Sequence, residues 1–153
     1  MGYEIERKFL VSEMPTDLDR FPYHLIEQAY LTKEPTIRVR REDDTYYMTY
    51  KGGKGLKHEE YNLPLTKEAY AFLKSKSEAN VITKKRYLIP CDPYTVELDV
   101  FDAPFAPLVL AEVEFPTEEE AVDFHVPEWL GKDVTDDKRY YNSYMSFSGL
   151  APE

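Results

Sequence analysis

Five short stretches of this chain place charged residues at alternate positions, and their chemistry falls into two complementary sets. Glu4-Ile5-Glu6, Glu97-Leu98-Asp99 and Glu112-Val113-Glu114 carry paired carboxylates, while Arg38-Val39-Arg40 and Lys84-Lys85-Arg86 carry paired cations. Lys8 extends the first pattern, Lys51 stands alone, and His58, Glu60 and Asn62 alternate in the same way. Carboxylate oxygens on separate segments are hard ligands suited to Mg2+ or Mn2+, whereas His24, His58 and His125 are too scattered to form a zinc cluster. Guanidinium forks and lysine ammonium groups clamp phosphate oxygens. Brought together, the two sets would make a polyphosphate site.

An alternation of two residues is the period of a β-strand, so strands must position these groups. The spacing predicts strands at 3–10, 27–32, 36–42, 45–51, 57–65, from Ile82 onward, 96–101 and 110–115, with turns at Lys33-Glu34-Pro35 and Asp43-Asp44. The stretch 12–21 reads as a turn with one helical turn in it, and Gly52-Gly53-Lys54-Gly55 reads as a link, since it lacks Walker spacing and no helix follows. Thr66 is a cap for a helix through Leu73, residues 117–124 suit a short acidic helix, and Thr135 is positioned to cap a last helix from Asp136. About eight strands can close into a small barrel without exposed edges. Ile5, Ile37, Val39, Val96, Leu98, Val100, Val113 and Phe115 then face outward under helices, and the charges face inward. A dry interior of that kind would be prohibitively costly, so a wet, ligand-binding tunnel is expected. The alternative is a sandwich with its charged faces turned to solvent.

At 153 residues, with 42% hydrophobic and 14% aromatic residues, a single domain over 1–153 is expected, mainly β with a few flanking helices. The 13 tyrosines, 8 phenylalanines and 11 prolines favour strands and turns over a helical bundle. Cys91 has no second cysteine to bridge, which fits a reducing cytoplasm. No apolar run is long enough to cross a membrane, and Glu6 occupies the place where a myristoylation signal needs Ser or Thr. A formal net charge of −10 argues against nucleic acid as partner. Gathered cations can still make a local anion site, and the association state is open between monomer and homodimer.

Glu4-Ile5-Glu6-Arg7-Lys8-Phe9 resembles the N-terminal Glu-x-Glu-x-Lys motif of the CYTH, or triphosphate tunnel metalloenzyme, superfamily. Gln28-Ala29-Tyr30-Leu31, Ile37-Arg38-Val39-Arg40, Lys84-Lys85-Arg86-Tyr87, residues 96–101, 110–115 and 134–142 resemble further blocks of it in the right order, as in compact bacterial members. The resemblance implies an eight-stranded antiparallel closed tunnel barrel with a C-terminal helix, and Mg2+- or Mn2+-dependent work on a small triphosphate or polyphosphate. It implies that Glu4, Glu6, Glu112 and Glu114 hold the first metal. Glu60, Glu97 and Asp99 would sit near a second metal or position the attacking water. Lys8, Arg38, Arg40, Lys51, Lys84 and Arg86 would bind phosphate, Lys138 and Arg139 would approach from the C-terminal helix, and Tyr30 would pair with Lys84 in the wall.

One block departs from the family. His58-Glu59-Glu60-Tyr61-Asn62 stands where relatives show Arg-x-Glu-x-Glu, so His58 replaces a phosphate-binding arginine and Asn62 replaces a metal-binding carboxylate. Hydrolysis of inorganic tripolyphosphate or a similar linear triphosphate is the expected activity. The alternatives are a class IV type adenylyl cyclase, a nucleoside or thiamine triphosphatase, and a noncatalytic polyphosphate-binding module.

Overall fold

A computed structural model describes residues 2–53 and 56–152, so Lys54 and Gly55 of the expected 52–55 link, and Met1, lie outside the described residues. Among the described residues nine strands form in chain order: β1 (Tyr3–Val11), β2 (Tyr23–Thr32), β3 (Thr36–Glu42), β4 (Thr45–Gly52), β5 (Lys57–Pro64), β6 (Ile82–Cys91), β7 (Tyr94–Phe101), β8 (Val109–Glu114) and β9 (Leu130–Asp133). Eight of them run antiparallel in the order β5-β4-β3-β2-β6-β7-β8-β1, and β1 closes the ring on β5 through Tyr3–Glu59, Glu4–His58 and Ile5–Lys57. β9 is an addition the alternation did not signal, because four residues are too few to show a period. It pairs with the far half of β1, so β1 holds β5 near its start and β9 near its end.

Among the described residues three α-helices flank the barrel: α1 (Lys67–Ser75), α2 (Glu118–Asp123) and α3 (Asn142–Ser148). Thr66 caps α1 by accepting from the Ala69 amide, and Thr117 caps α2 by accepting from the Glu120 amide. The expected helix from Asp136 does not form. Thr135 Oγ1 instead accepts from the Lys8 amide at 3.0 Å and donates to Asp133 at 2.5 Å, a 3-10 turn runs Lys138–Tyr140, and α3 begins six residues later than expected. With its hydroxyl used to tie the chain to β1, Thr135 is not available as a cap.

Outward apolar residues are covered as the alternation requires. Val96, Leu98, Val113 and Phe115 pack with Ala121 of α2 and Leu130 of β9, while Val39 and Ala29 pack under Tyr70 of α1. A third cluster lies on the inward face. Ile82, Phe101 and Leu110 join Tyr140 and Met145 of the C-terminal segment and fill the interior on one side of the polar cavity. No helix among the described residues is long and apolar enough to cross a membrane.

Candidate active site

The charged faces converge inside the barrel on a cavity of about 940 Å³, counting the solvent at its mouth. Seven lysines and arginines and five glutamates line it. Strand register sets which groups meet, because residues paired across an antiparallel ladder share a face. Lys8 lies opposite Glu112, Glu4 opposite His58, Lys51 opposite Glu60, and Arg38 opposite both Tyr30 and Thr49.

Two groups of ion pairs organise the wall. Lys51 Nζ lies 2.6 Å from Glu4 Oε1 and 3.4 Å from Glu6 Oε1. Burial opposes the charge on Lys51, but Glu6 and Glu4 outweigh it and hold its pKa above the ordinary lysine range. On the other side Asp99, fully buried, receives Lys84 Nζ at 2.7 Å, Arg86 Nε at 2.7 Å and Arg86 Nη2 at 2.9 Å. Arg86 also reaches Glu112 at 3.3 Å and Glu97 at 3.5 Å. Burial favours neutral Asp99, yet Arg86 and Lys84 more than compensate and lower its pKa. Burial wins at Lys84 and pushes it down to about 7 despite Asp99. Asp99 therefore keeps its charge, and Lys84 is the partner that titrates.

The carboxylates crowd one another. Burial, then Glu112 and Glu4, push Glu6 well above the usual carboxylate range. Burial would raise Glu112 as well, but Lys8, Arg86 and Lys84 hold it well below that range, and the two carboxyls share a hydrogen bond. Glu60 is raised by burial and by Glu4, and Glu97 by burial despite Arg86. Glu114, exposed at the rim, is raised to about 6 by partial burial and by Glu4, Glu97 and Glu60.

Most of the residues singled out from the sequence reach this cavity: Glu4, Glu6, Glu97 and Glu112 among the acids, Lys8, Arg38, Arg40, Lys51, Lys84 and Arg86 among the bases, with His58 and Tyr30. Glu60 and Asn62 stand together beside it, Asn62 Nδ2 donating to Glu60 at 3.4 Å while its Oδ1 accepts from Thr49 at 2.6 Å. Asp99 lies behind the wall with both oxygens occupied, which suits it to orienting Lys84 and Arg86 rather than to meeting a ligand. Lys138 pairs with Glu34 at 3.3 Å and Arg139 with Asp137 at 2.6 Å, and neither lines the cavity. The helix start explains this, since both residues sit on the exposed 3-10 turn and not on α3. Among the described residues no hydrogen bond joins Tyr30 to Lys84 directly. Gln28 Nε2 donates to Tyr30 Oη at 2.9 Å and to Asn142 Oδ1 at 3.0 Å, and Lys84 Nζ donates to the same Asn142 oxygen at 2.8 Å.

Sequence reasoning passed over Lys33, Thr135, Asn142 and Tyr144, which also line the cavity. Lys33 and Thr135 sit in turns, where no alternation marks a face. Asn142 and Gln28 were inside blocks noted for other residues, and the inward period shared by Gln28 and Tyr30 was the available signal.

The donor set fits a hard divalent cation in its chemistry: three buried or nearly buried carboxylates, Glu4, Glu6 and Glu112, raise or lower one another as a cation between them would relieve. Their side chains are not gathered for one as they stand. Among the described residues no three acidic, histidine or cysteine side chains form a ready-made ligand group, and Lys51 occupies the space between Glu4 and Glu6.

The fold is a closed eight-stranded barrel with a charged interior, and comparison with known proteins gives its family. The CYTH domain model matches residues 2–143, so the chain belongs to the CYTH family. An inorganic triphosphatase of Nitrosomonas europaea is 40% identical over 152 residues, covering 95% of this chain and 97% of that one. One from Acetivibrio thermocellus is 38% identical over 149 residues, covering 95% and 94%. The crystal structure of an inorganic triphosphatase superposes with a TM-score of 0.69 at 34% identity, covering 94% of each chain.

Proposed function

We propose that this protein hydrolyses inorganic tripolyphosphate or a closely similar linear triphosphate, and that it requires Mg2+ or Mn2+. The lining carries the reading: a chain of net charge −10 gathers seven lysines and arginines in one cavity beside five glutamates. Cations in that number suit a polyanion, and the acids beside them suit a metal that travels with it. The relatives named inorganic triphosphatase support the same activity.

Lys8, Arg38, Arg40, Lys84 and Arg86 would hold the phosphate oxygens, with His58 at the Glu4 level of the wall and Asp99 fixing Lys84 and Arg86 from behind. Glu4, Glu6 and Glu112 would hold the metal, with Glu114 at the rim of that group, and Lys51, paired with Glu4 and Glu6, would face the phosphate. When bound, a divalent cation would neutralise phosphate oxygens and make the phosphoryl group easier to attack. Glu97 in the lining, or Glu60 beside it, both made more basic by burial, would accept a proton from the attacking water. The water oxygen bonds to a terminal phosphorus, the bridging P–O bond breaks, and phosphate and diphosphate result. The charge left on the diphosphate oxygen falls among the same lysines and arginines. Phosphate release from a panel of triphosphates, with and without chelator, tests the reading: release from tripolyphosphate that stops with EDTA is expected, and metal-independent release or none overturns it.

A further inference from the structure

We infer that Asn142, the first residue of α3, contacts the substrate, presenting its side-chain NH2 to a phosphate oxygen as a neutral donor. Hydrogen-bond polarity fixes which way its side-chain amide faces. Arginine can only donate, so the Gln28 atom 2.8 Å from Arg40 Nε must be its oxygen, and the Gln28 nitrogen therefore faces Asn142. The ammonium form of Lys84 can only donate too, and its Nζ meets the same Asn142 atom at 2.8 Å. Two independent donors thus fix that atom as Oδ1, and the Asn142 amide cannot flip without facing N–H groups on both sides.

The NH2 must then point the other way. Asn142 is 8% exposed and lines the cavity, and among the described residues no protein acceptor meets its Nδ2. That donor pair is not sealed in protein but opens on the cavity, where a ligand or water completes it. The cavity into which it opens is lined by phosphate-binding cations, so a phosphate oxygen is the acceptor that matches. The same contacts order Lys84: Asp99 and Asn142 take two of its three ammonium protons, leaving the third for the cavity. Arg40, Gln28, Asn142 and Lys84 form one connected chain of polar groups, so the C-terminal segment supplies part of the anion site that the barrel strands cannot.

The inference rests on the proposed activity only in taking a triphosphate as the ligand. Its test follows the side-chain amide resonances of Asn142, identified by their loss in Asn142→Asp, as tripolyphosphate is added to the wild-type protein with Mg2+ and, in parallel, without it. The resonances are expected to shift and saturate with binding. Asn142→Asp keeps an acceptor toward Lys84 and Gln28 but puts an oxygen where the NH2 stood. Its Kd for tripolyphosphate is expected to rise about tenfold to a hundredfold at unchanged Tm. Resonances that stay fixed while tripolyphosphate binds, or wild-type affinity in Asn142→Asp, overturn the inference and leave the hydrolase reading standing. Amide shifts on binding without any phosphate release keep the inference and overturn the hydrolase reading. No binding under either condition overturns both.

Discussion

Lys84 Nζ stands 2.7 Å from Asp99 Oδ2 in a pair from which solvent is excluded, the two residues being 2% and 0% exposed. Arg86 occupies both oxygens of the same carboxylate, so one buried anion serves two cations. Removing it would strand both charges away from water. Asp99→Ala is expected to lose about 3–5 kcal/mol of unfolding free energy in a urea titration. Glu97→Gln, in the same strand but partly exposed, is expected to lose activity with a much smaller change. A wild-type urea midpoint for Asp99→Ala would remove Asp99 from its anchoring role.

The acidic side of the cavity makes a different demand. If Glu6 and Glu112 hold the metal, Glu6→Gln and Glu112→Gln should each reduce kcat by at least about a hundredfold, comparable to losing one main electrostatic stabiliser. Chelation should abolish turnover of the wild type, and Mg2+ or Mn2+ should restore it. Steady-state rates read both effects, and full activity in either variant takes that carboxylate out of the metal site.

Substrate affinity should depend on pH through Lys84. Burial lowers its pKa to about 7, so the ammonium is complete below that value and is lost above it. A bound polyanion favours the charged form, which means affinity is greatest on the acid side and falls as pH rises past 7. KM for tripolyphosphate should therefore climb between pH 7 and 9, and Lys84→Arg, which stays charged, should flatten that rise. An equal climb in both proteins would assign the titration to another group.

Outside the cavity, Glu27 ties α1 to β2, accepting from Tyr70 Oη at 2.7 Å and Lys74 Nζ at 2.9 Å. Partial burial opposes its ionisation, but these two partners outweigh it and lower the pKa. A carboxylate lowered in the folded state contributes stability above its unfolded pKa and loses it as pH falls through the folded value. The Tm deficit of Glu27→Gln should accordingly be largest near neutral pH and shrink toward pH 3. A deficit independent of pH would mean that the glutamine is penalised through packing alone.

Much of this was legible in the residues themselves, for identifiable reasons. The barrel and its inward charges follow from Arg38-Val39-Arg40 and Glu112-Val113-Glu114, since a period of two assigns a face without any knowledge of the neighbouring strand. Alternation does not say how deep along the tunnel a residue lies, and that is where Asp99 and Glu114 separate: one is sealed behind the wall, the other exposed at the rim. Nor does local sequence reveal a competing partner. Thr135 has the composition of a helix cap, but its hydroxyl is held by Lys8, 127 residues away, and the displaced helix start moves Lys138 and Arg139 out of the site. Asn142 carries no charge, so nothing in its type marked it until Gln28 and Lys84 fixed its amide.

Apart from Lys33, the cations on the cavity wall are accounted for as phosphate contacts, and Tyr144, a half-buried ring of the lining, donates to Glu34 and is covered by Lys33 at 4.6 Å. A purine would need a stacking surface and polar groups matched to its edge, whereas most of the lining side chains are charged. The most direct measurement is kcat/KM for tripolyphosphate, ATP and thiamine triphosphate under one set of metal conditions, with phosphate and cyclic AMP both quantified. Tripolyphosphate should give the highest value, and ATP should give no detectable cyclic AMP. A higher kcat/KM for ATP, or cyclic AMP as a main product, would contradict the account.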